Sequence, residues 1–179
     1  MKALLFTLLA LLQIGIPLAM IAKYEAVISY GTEYKFRCAP VDPVDSLRGR
    51  YVALNFEAAN ISRKDYEDVP CWASVSKSED GFAKVEVSDA RPTSEDFFKA
   101  RKQWNRLQFP FDKYFMSESA APKAEAAYRN STRRPLGETR DWKPDTYLVV
   151  KIWHGCAVGS QLIIDGKPVE EIVAKPERR

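Results

Sequence analysis

Hydrophobic side chains fall along this chain in two regimes. From Ala3 to Ala22 they run almost unbroken, 20 residues without a formal charge and with only Thr7 and Gln13 as clearly polar interruptions. No polar face recurs every 3.6 residues, so the stretch does not read as the half-buried helix of a soluble core. At 1.5 Å per residue it predicts a helix about 30 Å long, which matches the hydrocarbon layer of a bilayer. Lys2 and Lys23 flank it where their ammonium groups can reach headgroups. Pro17 is tolerable in such a span. A cleaved signal peptide would want small residues one and three positions before the cut, but Ala22 has Met20 in the upstream place and Ala19 has Pro17. The segment therefore reads as an uncleaved signal anchor. Its two-residue leader, carrying the α-amine and Lys2, favours an N-in, C-out orientation against the later charges of Lys23, Lys35 and Arg37. Lys23–Tyr30 continues the helix as a stalk that Gly31 ends. The expected division is residues 1–30 as anchor and stalk and 31–179 as one domain.

Beyond Gly31 the pattern changes to period two. Thr32–Cys38 alternates and stops at the corner Ala39-Pro40-Val41-Asp42-Pro43. Arg50–Ala58 carries Tyr51, Val52, Leu54 and Phe56, the bulk that strands favour. Cys71–Lys77 and Phe82–Ser88 are joined through Glu79-Asp80-Gly81, a hairpin signal. Tyr147–Trp153, Val158–Ile164 and Val169–Val173 are further predicted strands, separated by glycine-containing turns, the last at Asp165-Gly166. Phe97–Phe115 fits either an amphipathic helix (Phe97, Arg101, Trp104, Gln108) or strands (Leu107, Phe109, Phe111, Lys113), and Pro110 tips it to two strands. Ala120–Arg129 predicts a helix, capped by Ser119, with Pro122 in its first turn. Asn130–Lys143 is polar and basic and reads as a loop. The fold class is mainly β: one barrel-like or sandwich domain of about eight or nine strands with one short helix.

Charge and cysteine usage narrow the chemistry. The net charge of +3 is spread over interspersed residues of both signs, which gives no basic stripe for nucleic acid. Cys38, Cys71 and Cys156 include no CxxC pair, and His154 is the single histidine, so a structural zinc site lacks its ligands and no metal or cofactor is expected. One disulfide with a leftover thiol and three separate thiols both fit. A Ser–His–Asp hydrolase would have to use His154, yet no Gly-x-Ser-x-Gly elbow exists. Cys156 lies two residues from it, and Cys38 would need a lysine within hydrogen-bond reach. The carboxylates Asp42, Asp45, Glu67 and Asp68 read as turn and surface groups. Trp104, Phe109, Phe111, Tyr114 and Phe115 form the densest apolar cluster outside the anchor, read as core with a contact surface as the other use.

The most informative stretch runs from Pro40 to Glu57: Pro40-Val41-Asp42-Pro43-Val44-Asp45-Ser46-Leu47-Arg48-Gly49-Arg50-Tyr51-Val52-Ala53-Leu54-Asn55-Phe56-Glu57. The prolines fix a corner, Asp42 and Asp45 can accept from free amides, and Gly49 permits a positive φ where a strand begins. This arrangement resembles the GDYXXLXY family of bacterial membrane-anchored proteins, whose signature follows a similar proline- and aspartate-rich approach. Gly49, Tyr51 and Leu54 match the signature, while Arg50 stands in place of its Asp and Phe56 in place of its last Tyr. The approach residues Pro40, Asp42, Pro43, Asp45 and Arg48 complete the motif, which is structural or interaction-forming rather than catalytic. The hydrophobic start, the Lys113–Glu118 segment before an alanine-rich helix and the Ile164–Pro168 turn resemble family features too.

The resemblance implies a bacterial inner-membrane protein with its domain in the periplasm, and no assigned activity. Family members are often encoded beside polytopic membrane proteins, which makes such a protein the implied partner in addition to the bilayer held through residues 3–22. The expected function is a non-enzymatic accessory or binding module for that partner. The alternative is a membrane-bound hydrolase or peptidase with a Cys or Ser nucleophile.

Overall fold

A computed structural model describes residues 2–40, 51–60, 68–103, 106–135, 137 and 142–174. The chain opens on helix α1 (Lys2–Tyr30), which is continuous through Pro17. One residue later it is already a strand, β1 (Thr32–Ala39). Tyr34, Phe36 and Cys38 of β1 point inward and are buried, as the period-two pattern predicts.

Three sheets share one core. The largest takes β1 with β3 (Asn55–Phe56), β9 (Thr146–Trp153), β10 (Cys156–Ile164) and β11 (Lys167–Pro168), in the order β11-β10-β9-β1-β3. A second sheet has the order β5-β4-β6-β7, from β4 (Val69–Lys77), β5 (Ala83–Ser88), β6 (Phe97–Gln103) and β7 (Arg106–Gln108). A small third sheet pairs β2 (Tyr51–Ala53) with β8 (Lys113–Phe115). The domain is mainly β, as expected, and among the described residues neighbouring strands in these sheets run antiparallel.

Turn chemistry sets the registers. His154 and Gly155 both take positive φ between the paired residues Trp153 and Cys156, and Asp165 and Gly166 do the same between Ile164 and Lys167. Two consecutive left-handed residues make the type I′ turn whose twist matches that of the flanking strands. Gly81, at φ 80°, closes the β4–β5 hairpin, where its amide donates to the Ser78 carbonyl at 2.9 Å.

Several expectations change in detail. The run expected as one strand over Arg50–Ala58 divides at Leu54: Tyr51–Ala53 pairs with β8, Asn55–Phe56 pairs with β1, and Glu57–Ala59 coils into a 3-10 turn. The Leu54 amide donates to the Asp112 carbonyl at 2.8 Å, so the chain crosses from one sheet to another there without losing that bond. Phe97–Phe115 forms three strands, not two. Val169–Val173, expected as a strand, lies in a helix, α3 (Val169–Ala174). Val169, Ile172 and Val173 turn toward the core at helical spacing, and Glu170 and Glu171 occupy a first turn where backbone amides favour negative charge.

Helix α2 (Ala121–Thr132) starts one residue later and ends three residues later than expected. Ala120, not Ser119, occupies its N-cap, and the Ser117 carbonyl accepts from the amides of Ala120 and Ala121 at 3.0 Å each. Ala121, Ala124, Tyr128 and Thr132 form its buried face.

At the centre lie five phenylalanines. Phe36 sits against Phe56, Phe98, Phe109 and Phe111 with ring centroids 4.9–6.3 Å apart, mostly edge to face. That is the geometry aromatic quadrupoles prefer. They come from β1, β3, β6 and the segment between β7 and β8, so this cluster ties the sheets together.

Candidate functional site

The signature residues part company at Leu54. Leu54 and Phe56 are buried, the latter among the five phenylalanines. Tyr51 points the other way, half-buried, with its ring 5.8 Å from that of Phe115, its partner in β8. The Lys113 ammonium stands over the Tyr51 ring at 5.1 Å. The Pro40 carbonyl accepts from Asn55 Nδ2 at 2.8 Å, which holds the end of β1 to the strand carrying the signature. Asp42, Pro43, Asp45, Arg48, Gly49 and Arg50 lie outside the described residues.

A residue that motif reasoning passed over fastens this region. The Tyr128 hydroxyl donates to the Ala39 carbonyl at 2.9 Å and accepts from the Asn55 amide at 3.2 Å. It thereby bridges the ends of β1 and β3 where they part. Cys38 is the adjoining thiol, 1% exposed. Burial pushes the Cys38 thiol up to about 12, offset only in part by its hydrogen bond with Tyr128. Burial likewise raises the Tyr128 phenol well above its ordinary value. Both groups stay neutral at physiological pH. The sequence signal for Tyr128 is a single polar-tipped aromatic in an alanine-rich helix, and helical spacing from Ala124 puts it on the buried face.

The other candidates separate. Cys71 is buried, Cys156 is partly exposed, and all three cysteines carry free thiols. His154 occupies the exposed tip of the β9–β10 hairpin, its ring 4.5 Å from that of Trp153. Asp68 pairs with Arg101 at 2.9 Å on the surface, and Glu67 lies outside the described residues. Among the described residues no three His, Cys, Asp or Glu side chains are grouped to hold a metal. The expected aromatic cluster divides: Phe109 and Phe111 are core, Tyr114 is half-buried, Phe115 is 71% exposed, and Trp104 lies outside the described residues.

Two surface depressions are lined by described residues. The smaller, about 310 Å³, surrounds Arg37, whose guanidinium lies 3.6 Å over the Phe82 ring and within 3.5 Å of both Glu57 and Asp80. Lys143 pairs with Glu57 at 3.2 Å. These charges satisfy one another, which makes the cluster a clasp between β1 and the β4–β5 hairpin. The larger, an open groove of about 530 Å³, runs between Tyr24 of α1, Lys113–Phe115 of β8 and Cys156–Ser160 of β10.

The helix enters the domain beside this groove. Val27 of α1 is fully buried, the Tyr30 and Trp153 rings lie 6.1 Å apart, and the Gly31 amide donates to the Val27 carbonyl at 2.9 Å. Gly31 is the only residue between α1 and the first β1–β9 pair, Thr32 with Ile152. A Cβ at Gly31 would come within 2.4 Å of the Val27 carbonyl oxygen and 3.1 Å of the Ile152 backbone, so the close passage requires glycine.

The sequence profile of the family described as GDYXXLXY protein matches residues 13–162. The chain belongs to the GDYXXLXY family. Its profile covers the second half of α1, the signature and most of the three sheets, so the family relation rests on the whole architecture and not on the motif alone. No curated protein and no solved structure matches the chain. Within the GDYXXLXY signature as it stands here, Leu54 and Phe56 are buried and Tyr51 packs half-buried against Phe115.

Proposed function

We propose that this GDYXXLXY protein is a single-pass inner-membrane protein whose domain, residues 31–179, faces the periplasm and acts as a non-enzymatic accessory to an integral membrane partner. The observation that carries the reading is α1. Within Leu5–Tyr30 the most apolar stretch has a mean hydropathy of 2.2, and none of that stretch is buried. Leu5, Phe6, Leu8, Leu9, Leu11 and Leu12 are each more than half exposed. At about 25 cal/mol per Å² such surface is strongly unfavourable in water and favourable in lipid. Residues 3–22 fill the hydrocarbon layer, Lys2 stays on the cytoplasmic side, and the domain follows on the far side.

The partner in this reading is a polytopic membrane protein, as the resemblance implies. The hydrolase alternative gains no support from the geometry of Cys38: the thiol is buried and held neutral, whereas an attacking sulfur must be ionised and reachable. Pro40, Asp42, Pro43, Asp45, Arg48, Gly49, Arg50, Tyr51, Leu54 and Phe56 act as a structural or interaction motif. Arg50 inverts the charge of the family's acid; if that acid only caps a turn or pairs with a base, the exchange costs about 1 kcal/mol.

The test is fractionation followed by affinity purification. The full-length chain should stay in the membrane pellet after alkaline carbonate washing, and its domain should be cut by protease added to spheroplasts. Tagged protein in mild detergent should bring down an integral membrane protein. Intact, unprocessed chain in the soluble pool defeats the anchor, and purification without any membrane protein defeats the accessory role.

A further inference from the structure

The groove beside the anchor has features that the accessory role does not use. Among the described residues no aspartate or glutamate lines it, whereas Lys99 and Lys113 do. Both ammonium groups are exposed and stand over aromatic rings, Lys99 above Trp72 at 5.2 Å and Lys113 above Tyr51 at 5.1 Å. Among the described residues neither has a carboxylate within salt-bridge distance. Glu170 is engaged by the Tyr114 hydroxyl, which donates to it at 2.5 Å. The groove therefore offers positive charge without an internal counter-charge.

Backbone donors add to it. Strand β10 pairs with β9 along its length, but β11 meets it only at Ile163 and Ile164. The outer edge of Cys156–Ser160 has no strand partner among the described residues, and that edge is the groove wall. A bulge at Gly159–Gln161 turns it from regular pairing.

Height above the bilayer decides what meets these groups. With Ala22 at the hydrocarbon boundary, Tyr24 stands about 3 Å above it and Tyr30 about 12 Å above it, at 1.5 Å per residue. The headgroup layer on each side is roughly 5–8 Å deep. Tyr24 lines the groove, so its lower wall lies within that layer. The junction at Gly31 carries no linker that could lift the domain away. Phe115, 71% exposed at the same groove, has the amphipathic setting of an interfacial aromatic.

We infer that this groove binds the phosphate headgroup of an anionic phospholipid from the bilayer that holds α1. Lys99 and Lys113 neutralise the phosphate, edge amides of Cys156–Ser160 supply donors, and Phe115 packs on the upper acyl chain. The inference rests on the anchor reading, and the experiment separates the two. A photoreactive benzoylphenylalanine replaces Phe115, or Glu86 on exposed β5 as a control, in full-length protein reconstituted into vesicles. One vesicle population is phosphatidylcholine alone and the other contains 30% phosphatidylglycerol, a composition chosen for the test.

Position 115 should form lipid adducts favouring phosphatidylglycerol over its mole fraction, and position 86 should form few. Lys99→Gln with Lys113→Gln should lower that preference by about fivefold per lysine, and added salt should lower it in the unsubstituted protein. The thermal transition of the double variant is checked first. If it is lost, the single variants and the salt series carry the comparison. Protein that stays in the membrane pellet yet gives no lipid adduct at 115, or equal adducts from both lipids, overturns the inference and leaves the anchor intact. Adducts to a protein strand at the β10 edge in native membranes, in place of lipid, overturn it as well. Protein washed from the vesicles defeats the anchor itself.

Discussion

Two groups of aromatic residues in this protein use the same chemistry to opposite ends. Phe36, Phe56, Phe98, Phe109 and Phe111 are each less than 5% exposed and touch one another across two sheets and the segment between β7 and β8. Tyr24, Tyr51, Tyr114 and Phe115 line or border an open groove, and two of them are largely exposed. The chain passes from one group to the other within a few residues, between Phe111 and Tyr114 on one side and between Tyr51 and Phe56 on the other. The signature straddles that boundary. Its value to the fold therefore resides in Leu54 and Phe56, while Tyr51 is free to serve contact.

The sharpest test is truncation within each group. Phe56→Ala removes a ring packed on all sides and should cost about 3–5 kcal/mol in urea or thermal unfolding. Phe115→Ala should change stability by less than about 1 kcal/mol, because it gives up only one ring contact. Equal losses at the two positions would erase the distinction. Between these extremes stands Tyr128→Phe. It keeps the ring and leaves the Ala39 carbonyl and Asn55 amide without their partner, for an expected loss of about 1–3 kcal/mol. A loss under a few tenths would mean that packing alone holds β1 to β3.

Alkaline pH sharpens the same contrast more gently. Burial raises the Cys38 thiol to about 12, raises Tyr128, and raises Tyr34 to about 12 with help from Asp96, to which its hydroxyl donates at 2.8 Å. The folded state thus holds protons that the unfolded chain releases, thiols from about pH 8.5 and phenols from about pH 10. Their contribution is complete below those values and declines as pH rises toward 12. Stability should fall from about pH 9 upward, at roughly 1 kcal/mol per pH unit for each group so protected. Cys38→Ala should make the decline shallower whatever its effect at neutral pH. An unchanged slope would show that the thiol is already ionised or exposed.

What the sequence made legible follows from range. Helix α1, the hairpins at Asp80-Gly81 and Asp165-Gly166, and the inward sides of β1 and β9 depend on neighbours a few residues away, and periodicity reads those well. Val169–Val173 went astray because a stretch so short does not separate a period of 2 from 3.6. Val-Glu-Glu-Ile-Val is apolar at its ends under either rule. The break at Leu54 was hidden because nothing local distinguishes a strand that stays in its sheet from one that changes sheets. Ser119 looked like a cap, yet the chain enters α2 through the Ser117 carbonyl and leaves the Ser119 hydroxyl beside Ser117 Oγ at 3.4 Å. The groove was least legible of all. It gathers residues 24, 99, 113–115 and 156–160, and only the folded topology brings these together.

The junction at Gly31 has a mechanical consequence. A rod welded to a plate has no swivel, so the compass bearing of the domain is set by how the rod is turned. Each residue of an α-helix advances about 100°. One alanine inserted between Lys23 and Val27 would leave the weld untouched and yet face the whole domain toward a different neighbour, raised by only about 1.5 Å. Three or four inserted together would nearly restore the original bearing.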